Sequence, residues 1–334
     1  MSEVAMKPMP PMKIILNPYS RRWKARQRIP EVRAALDALG ADYDLVETEA
    51  PGHGIALAEE AVRAGYGLIV AAGGDSTVNE VLNGMLRVQD SLQEAAAPQE
   101  VQPPAGESAP ASPPEEDAAP QLPPLGIIPL GTANDLAWAL GIPEDLSQAA
   151  LNLASARTRP LDVGECNGRS FANNVGIGLE PYVTHLQAKM KGTGTSRYLR
   201  AALKAIGHNP AWEMDVRWDG GRYHGPISLV SIGNGRRTGG FFLTPEADPS
   251  DGYLDFIFGH LPTRWQAVRH LQKALQPDNN LGESSLTCAG RFREMRVACP
   301  EPVYLHTDGE LHPLQTEIHI RLHVARVSVV ATQT

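Results

Sequence analysis

Apolar positions in the first part of the chain switch repeatedly between two periods. Lys13–Leu16 is a short apolar run that ends in Asn17-Pro18-Tyr19-Ser20, a turn signature. Ile29, Val32, Leu36 and Leu39 then keep helical spacing until Gly40 stops the helix. Tyr43–Glu47 predicts a second strand, and Ile55, Ala58 and Val62 line a helix that Gly65 ends. Leu68–Ala72 predicts a buried third strand, and Gly73-Gly74 a tight turn. From Thr77 the period is helical again through Val78, Val81, Leu82 and Met85. This alternation predicts a parallel sheet covered by helices. Ligands of such sheets bind beyond the carboxyl ends of the strands. Asn17 and Gly73–Thr77 both occupy such ends, so they can meet in space.

Gln89–Pro124 breaks the pattern. It is rich in Ala, Pro, Glu and Gln and has no aromatic residue. Such a segment buries too little surface to offset its ordering entropy, so it reads as a disordered surface insertion. The pattern resumes at Leu125 with a strand through Pro129, a turn at Leu130-Gly131-Thr132, and a helix over Asn134–Leu140 stopped by Gly141. Thr132 is placed to be its N-cap, and Asp135 falls in its first turn, where a carboxylate favours the helix dipole. After about Ser155 the texture changes. Leu161–Cys166, Phe171–Val175, Trp212–Trp218, Ile227–Gly233, Tyr253–Phe258, Arg293–Ala298 and Glu317–His323 read as short strands between turn residues. Helical stretches interrupt them near Tyr182–Met190, Arg197–Ile206 and Arg264–Leu275. The expected architecture is α/β and two-lobed. A parallel α/β lobe spans residues 12–155, with the insertion at 89–124. A β-rich antiparallel sandwich lobe spans 156–330, its last strands free to return to the first lobe, and a cleft lies between the two.

Composition narrows the class. The 334 residues are 42% hydrophobic, ample for a core in about two domains. No apolar run approaches the roughly 18 residues of a membrane span, and the N-terminal MSEVAMKPMPPMK lacks the apolar stretch of a signal peptide. Cytoplasmic residence is the expectation. Cys166, Cys288 and Cys299 form no CxxC, which argues against a disulfide framework or zinc cluster. The net charge of −8 is local: seven acids and no Lys or Arg lie between Val88 and Pro124, leaving 31 acids against 30 bases elsewhere. That balance gives no reason to expect nucleic acid as a partner.

The glycine turn carries the chemistry. A strand that feeds a helix through Gly73-Gly74 offers free N–H groups and a positive dipole end to an anion. Asp75 lies at that mouth, where a carboxylate can take a proton or hold a metal. Four separated pieces share this character: Asn17-Pro18-x-Ser20, Gly73-Gly74-Asp75-Ser76-Thr77-x-Asn79-Glu80, Pro129–Asp135 and Asp308-Gly309-Glu310. With Asn174–Gly178 and the run from Asn234-Gly235 through Gly239-Gly240, Pro245, Ala247-Asp248 and Asp251–Asp255, the chain resembles the diacylglycerol kinase catalytic family. That family includes bacterial lipid kinases and sphingosine kinases.

The resemblance implies ATP and Mg²⁺ in the cleft of a nucleotide-binding α/β lobe and a β-rich lobe. It implies Gly73, Gly74, Ser76 and Thr77 cradling phosphates, with Asn17, Asn79, Glu80, Gly131 and Thr132 at the nucleotide. Asp75 would be the base that activates a lipid hydroxyl, and Glu310, a second catalytic residue, would lie across the cleft at the nucleotide or metal with Asp308 near it at the nucleotide. Asp135 and Arg21 are candidates for substrate or phosphate. Asp248, Asp251 and Asp255 are candidates for a structural Mg²⁺, against a plain Asp-Gly hairpin turn. Ser76 stands where the family usually has a third glycine, and Arg21 where a glycine is common. The implied acceptor is diacylglycerol or a similar lipid alcohol, reached by peripheral membrane contact; a homodimer stays open. Trp138, Phe171, Phe241 and Phe242 are candidates for a lipid route. Lys189, Lys191, Arg197, Arg200 and Lys204 are candidates for membrane attraction. The competing readings are a kinase of a soluble substrate such as NAD, and a binding protein without catalysis.

Overall fold

The computed structural model describes residues 9–21, 23–96, 121–190, 195–208 and 210–331. The first lobe holds β1 (Met12–Leu16), α1 (Lys24–Gln27), α2 (Ile29–Asp37), β2 (Tyr43–Glu47), α3 (His53–Arg63), β3 (Leu68–Gly73), α4 (Asp75–Ala96), β4 (Leu125–Pro129), α5 (Asp135–Ala139) and α6 (Leu146–Ala154). Then come β5 (Thr158–Cys166), β6 (Arg169–Phe171), β7 (Asn174–Gly178), α7 (Leu179–Lys189), α8 (Thr195–His208), β8 (Trp212–Trp218), β9 (Gly221–Ile227), β10 (Leu229–Gly233) and β11 (Leu254–Gly259). The chain closes with α9 (Arg264–Lys273), β12 (Thr287–Phe292), β13 (Glu294–Val303), β14 (Leu305–Thr307), β15 (Glu310–Leu311) and β16 (Gln315–Val330).

Strands β2-β1-β3-β4 pair in parallel, as the alternation predicts. Their two faces bury different sets, as period-2 strands covered by helices on both sides must. Ile15, Ile69 and Ala71 pack on α3 and α4, whereas Ile14, Leu16, Val70 and Ala72 pack on α2 and α6. The second lobe is antiparallel. Phe171, Ile177, Val216, Ile232, Phe256, Phe292, Val297 and Ile320 fill the space between its two sheets. The predicted strand Phe171–Val175 is two strands, β6 and β7, because Ala172 and Asn173 turn their N–H groups to Asp308.

One strand belongs to both lobes. β16 pairs antiparallel with β13 and β5, then meets β4 in parallel at Val329–Leu125. Its register shifts between His323 and Val327, where Ala325 takes φ 51° and donates to Asp162 Oδ1 at 2.6 Å. The parallel sheet is therefore continuous with a sandwich sheet, which fixes the lobes' relative placement.

The expected insertion begins late. Helix α4 continues through Ala96, Gln89 is buried, and Asp90 is ion-paired with Arg326 of β16. Residues 97–120 lie outside the described residues. Leu122 is packed against the first-lobe core. Replacing 89–123 with a short Gly-Ser linker is thus expected to lower Tm by several degrees, at a cost of about 1–3 kcal/mol. Replacing only 97–120 is expected to leave it unchanged; equal melting of both variants by calorimetry would contradict this.

Candidate active site

A cleft of about 1520 Å³ runs along the carboxyl ends of the parallel strands. Asn17, Thr48, Gly74 and Gly131 follow β1, β2, β3 and β4 at its floor, and Arg169, Asp308 and Glu310 reach it from the second lobe. Of the residues expected at a nucleotide, Asn17, Arg21, Gly74, Asp75, Ser76, Asn79, Glu80, Gly131, Thr132, Asp308 and Glu310 line this space. Gly73 and Thr77 lie behind it. Thr77 is 1% exposed, its hydroxyl accepts from Asn17 Nδ2 at 3.1 Å, and its side chain fills the space a Cβ on Gly73 would need. Those two residues shape the turn from beneath.

Three side chains in the wall are already committed to protein partners. Both carboxylate oxygens of Glu80 are taken, by the N–H groups of Gly52 and Gly54 at 2.9 Å each, which caps the start of α3. Asn79 Nδ2 donates to Asp308 at 2.7 Å and to Ser170 O at 3.2 Å, joining the lobes. Asp308 (φ 46°) also accepts from the N–H groups of Ala172 at 2.8 Å, Asn173 at 3.0 Å and Asn174 at 2.8 Å. Burial outweighs these donors and raises its pKa. Glu310 stays half-exposed and pairs with Arg169 at 2.8 Å.

The two glycine turns meet back to back. Gly74 and Gly131 approach so closely that a Cβ on Gly131 would lie under 3 Å from the Gly74 backbone. The second turn is closed by Asn134, not capped by Thr132. Asn134 takes φ 49° at the N-cap of α5 and accepts from Gly131 N–H at 2.9 Å. Asn tolerates this left-handed conformation better than most residues. This close approach brings Asp75 to the start of α5, where its Oδ1 accepts from the Leu136 N–H at 3.1 Å. Asp75 is thus a helix cap as well as a cleft carboxylate.

Asp135 is 3% exposed beside Asp75. Desolvation first, then the Asp75 charge, push its pKa up to about 6 against the pull of Arg237. Desolvation also raises Asp75, against the N–H groups it accepts and the Arg237 charge. Arg237 was not singled out from sequence. Its Nε lies 3.1 Å from Asp135 Oδ1, its Nη2 donates to Ala133 O at 3.0 Å, and its guanidinium lies 4.5 Å from the Trp138 ring centre. The contact to Asp135 is an ion pair without hydrogen-bond alignment, which leaves Asp135 Oδ1 buried and unbonded. The signal was present: Arg236-Arg237 sits inside the Asn234–Gly240 run that carried the resemblance.

A second, apolar cavity of about 100 Å³ lies in the other lobe. Val183, Ala202, Ile206, Ile257, Leu271 and Ala274 are among its lining, and Thr238 and Phe241 close one side. The same loop, at Gly239 and Gly240, hydrogen-bonds Asp135 through its backbone. Of the aromatic candidates, Phe241 lines this cavity. Phe171 is fully buried in the sandwich core, Phe242 is 8% exposed, and Trp138 is 40% exposed edge-on to Phe242. Glu180, ion-paired with His306 at 3.0 Å, is an acid in the cavity wall.

The three aspartates proposed for a structural metal do not converge. Asp248 is paired with Arg159 at 2.9 Å, while Asp251 and Asp255 share Arg291 at 3.2 and 3.4 Å. Among the described residues no group of three or more His, Cys, Asp or Glu is arranged to hold a metal ion. Burial, above all, takes Asp255 to a pKa of about 6 despite Arg291. Of the cysteines, Cys166 and Cys299 are buried thiols, and Cys288 is half-buried.

A phosphate-type turn, a cleft carboxylate beside a buried one and an apolar cavity within one loop of them are the features a lipid kinase needs. Comparisons with known proteins agree. Residues 11–166 match the diacylglycerol kinase catalytic domain, and 173–326 match the YegS C-terminal NAD kinase beta sandwich-like domain. The chain belongs to the YegS-like lipid kinase family, and its first lobe carries a diacylglycerol kinase catalytic domain. It is 29% identical over 303 residues to "Diacylglycerol kinase" of Bacillus subtilis (strain 168), covering 89% of each chain. It is 32% identical over 286 residues to "Probable lipid kinase YegS-like" of Pseudomonas aeruginosa, covering 84% of this chain and 83% of the relative. A crystal structure of a diacylglycerol kinase from Bacillus anthracis str. Sterne shares the fold, with a TM-score of 0.67, 20% identity and 98% of each chain covered. Membership of a kinase family implies ATP as the phosphoryl donor.

Proposed function

We propose that the enzyme transfers the γ-phosphoryl group of ATP to a hydroxyl of diacylglycerol or a similar lipid alcohol. The observation that carries this reading is the position of Asp75 and Asp135. They lie between a cleft of phosphate-turn character and a loop that closes an apolar cavity. Backbone N–H groups at Gly74 and Ser76 and the N-terminus of α4 hold phosphate oxygens, with Gly131-Thr132 opposite and Asn17 and Arg21 at the nucleotide. Ser76 offers a hydroxyl donor there in place of a bare glycine.

Asp135 has the proton affinity suited to a base near neutral pH. The substrate oxygen forms its bond to the γ-phosphorus as the bond to the β–γ bridging oxygen breaks. The hydroxyl proton passes to the Asp75–Asp135 carboxylate pair through Asp75, the member that lines the cleft, and ADP leaves with the bond electrons. Asp75, on the cleft side, holds the start of α5 and so the position of Asp135. This divides between two residues the role that sequence gave to Asp75 alone. Mg²⁺ suits the donor set, because Asp75 and Glu310 both present carboxylate oxygen to the cleft and Mg²⁺ needs only one or two carboxylates beside phosphate and water oxygens. Asp75 and Glu310, both lining the cleft, would hold it, and it would spread the charge of the transferring phosphoryl group.

The test is to incubate the purified protein with γ-labelled ATP, Mg²⁺ and either diacylglycerol-containing vesicles or NAD. Label is expected in the lipid. Labelled NADP without labelled lipid would sink the reading and favour a soluble acceptor.

A further inference from the structure

We propose that the outer faces of α8 and α9 dock the enzyme on an anionic lipid bilayer, with Trp265 and Leu203 entering the interface. The inference rests on the lipid-kinase reading only for why a bilayer is approached; the surface itself stands on its own chemistry.

Charge is segregated here. Residues 181–212 and 256–277 contain eight Lys and Arg and no Asp or Glu, in a chain with net charge −8. Elsewhere many arginines are paired with carboxylates, as Arg63, Arg169, Arg217 and Arg321 are, while Arg26 and Arg157 form no ion pair among the described residues. Lys189, Lys204, Arg264 and Arg269 are exposed and form no ion pair among the described residues. Asp278 and Glu283 border this surface beyond the end of α9, where Lys273 donates to Asn280 at 3.0 Å. A face on which Lys189, Lys204, Arg264 and Arg269 lack counter-ions among the described residues suits a surface that supplies the negative charge itself.

Apolar groups stand on the same helices. Trp265 is 84% exposed and Leu203 53%, although the inner faces of both helices are well packed. Ile206 of α8 meets Leu261, Ala267 and Leu271 around α9. Trp265 and Arg269, one helical turn apart, share the outer face of α9. Indole beside cationic side chains on an amphipathic helix is the composition of an interfacial helix. Location completes the case. Ala202 and Ile206 of α8 and Ala267 and Leu271 of α9 line the apolar cavity with their inner faces. The two helices therefore form a layer between that cavity and the outside, and a bilayer against them would meet the cavity at its roof.

The test is co-sedimentation of the full chain with phosphatidylcholine vesicles, with and without equimolar phosphatidylglycerol, in the absence of nucleotide. Wild type is expected to bind only the anionic vesicles. R264Q/R269Q is expected to weaken partitioning roughly 25-fold, at about fivefold per charge. Brominated lipid is expected to quench wild-type tryptophan emission more than that of W265F. Both variants should keep wild-type turnover of monomeric short-chain diacylglycerol, which needs no bilayer and separates docking from folding. Equal partitioning of wild type and R264Q/R269Q, absence of wild-type binding, or a change of oligomeric state in W265A in place of lost vesicle binding would each overturn the surface. Vesicle binding that depends on these residues, with no phosphorylation of any lipid, would support the surface while removing the kinase reading.

Discussion

Asp135→Asn is expected to cut kcat about a thousandfold while ATP binding, followed by calorimetry, stays near wild type. General-base removal accounts for about 10²–10⁴ in rate, and Asp135 lines neither the phosphate cleft nor a nucleotide contact. The wild-type rate should rise with pH through about 6, as Asp135 loses its proton. The same variant should be the more stable protein at pH 8. Folding raises the Asp135 pKa from 3.8 to about 6, so its contribution to stability is fully present below about pH 4 and is lost as pH rises through about 6. Above that, the wild type carries a buried charge that asparagine lacks. The gain is about 1–2 kcal/mol, since Arg237 loses its counter-ion in exchange, and it should vanish near pH 4. Asp75→Asn should lose activity while the start of α5 stays ordered, because the amide Oδ1 can still accept the Leu136 N–H. An active Asp135→Asn beside a dead Asp75→Asn would return the base role to Asp75 alone.

Gly131→Ala is expected to lower stability by about 3 kcal/mol and to abolish ATP binding. A methyl group there would press on the Gly74 backbone and on the Asn134 side chain at under 3 Å. Backbone cannot step aside as a flexible side chain can, so the two turns must separate, and overpacking of this kind costs 1–3 kcal/mol or more. The displaced atoms are the phosphate-facing N–H groups and the carboxylate held at α5. Gly40→Ala is the control: no atom lies within 4 Å of its Cβ, so it tests only the strain of φ 61° far from the cleft. Thermal melts and ATP titration of the two variants separate a local clash from general glycine loss. Wild-type ATP affinity in Gly131→Ala would show that the two turns are not coupled.

Much of the framework was written in local pattern. β2 runs over Tyr43–Glu47 as expected from sequence, and the glycine turn after β3 opens the cleft. These features depend on neighbours a few residues apart, whose preferences the sequence displays directly. The end of helix α4 is not legible in local pattern for a related reason. Gln89 and Asp90 look like the start of a polar insertion until β16 supplies Arg326 from the far end of the chain.

The residues' division of labour was not local. By itself the sequence determined a parallel α/β lobe, a β-rich lobe, two glycine turns at strand ends and an acid beside each. Only the tertiary structure decided that the turns touch, that Asp75 caps the helix bearing Asp135, and that Arg237 faces that acid. It likewise gave Asn79, Glu80 and Asp308, which line the cleft, hydrogen bonds that tie separate segments together. A carboxylate's type is fixed by its residue. Its proton affinity and its free oxygens are set by which charges and N–H groups distant segments bring within hydrogen-bond reach of it, and by how much water they exclude.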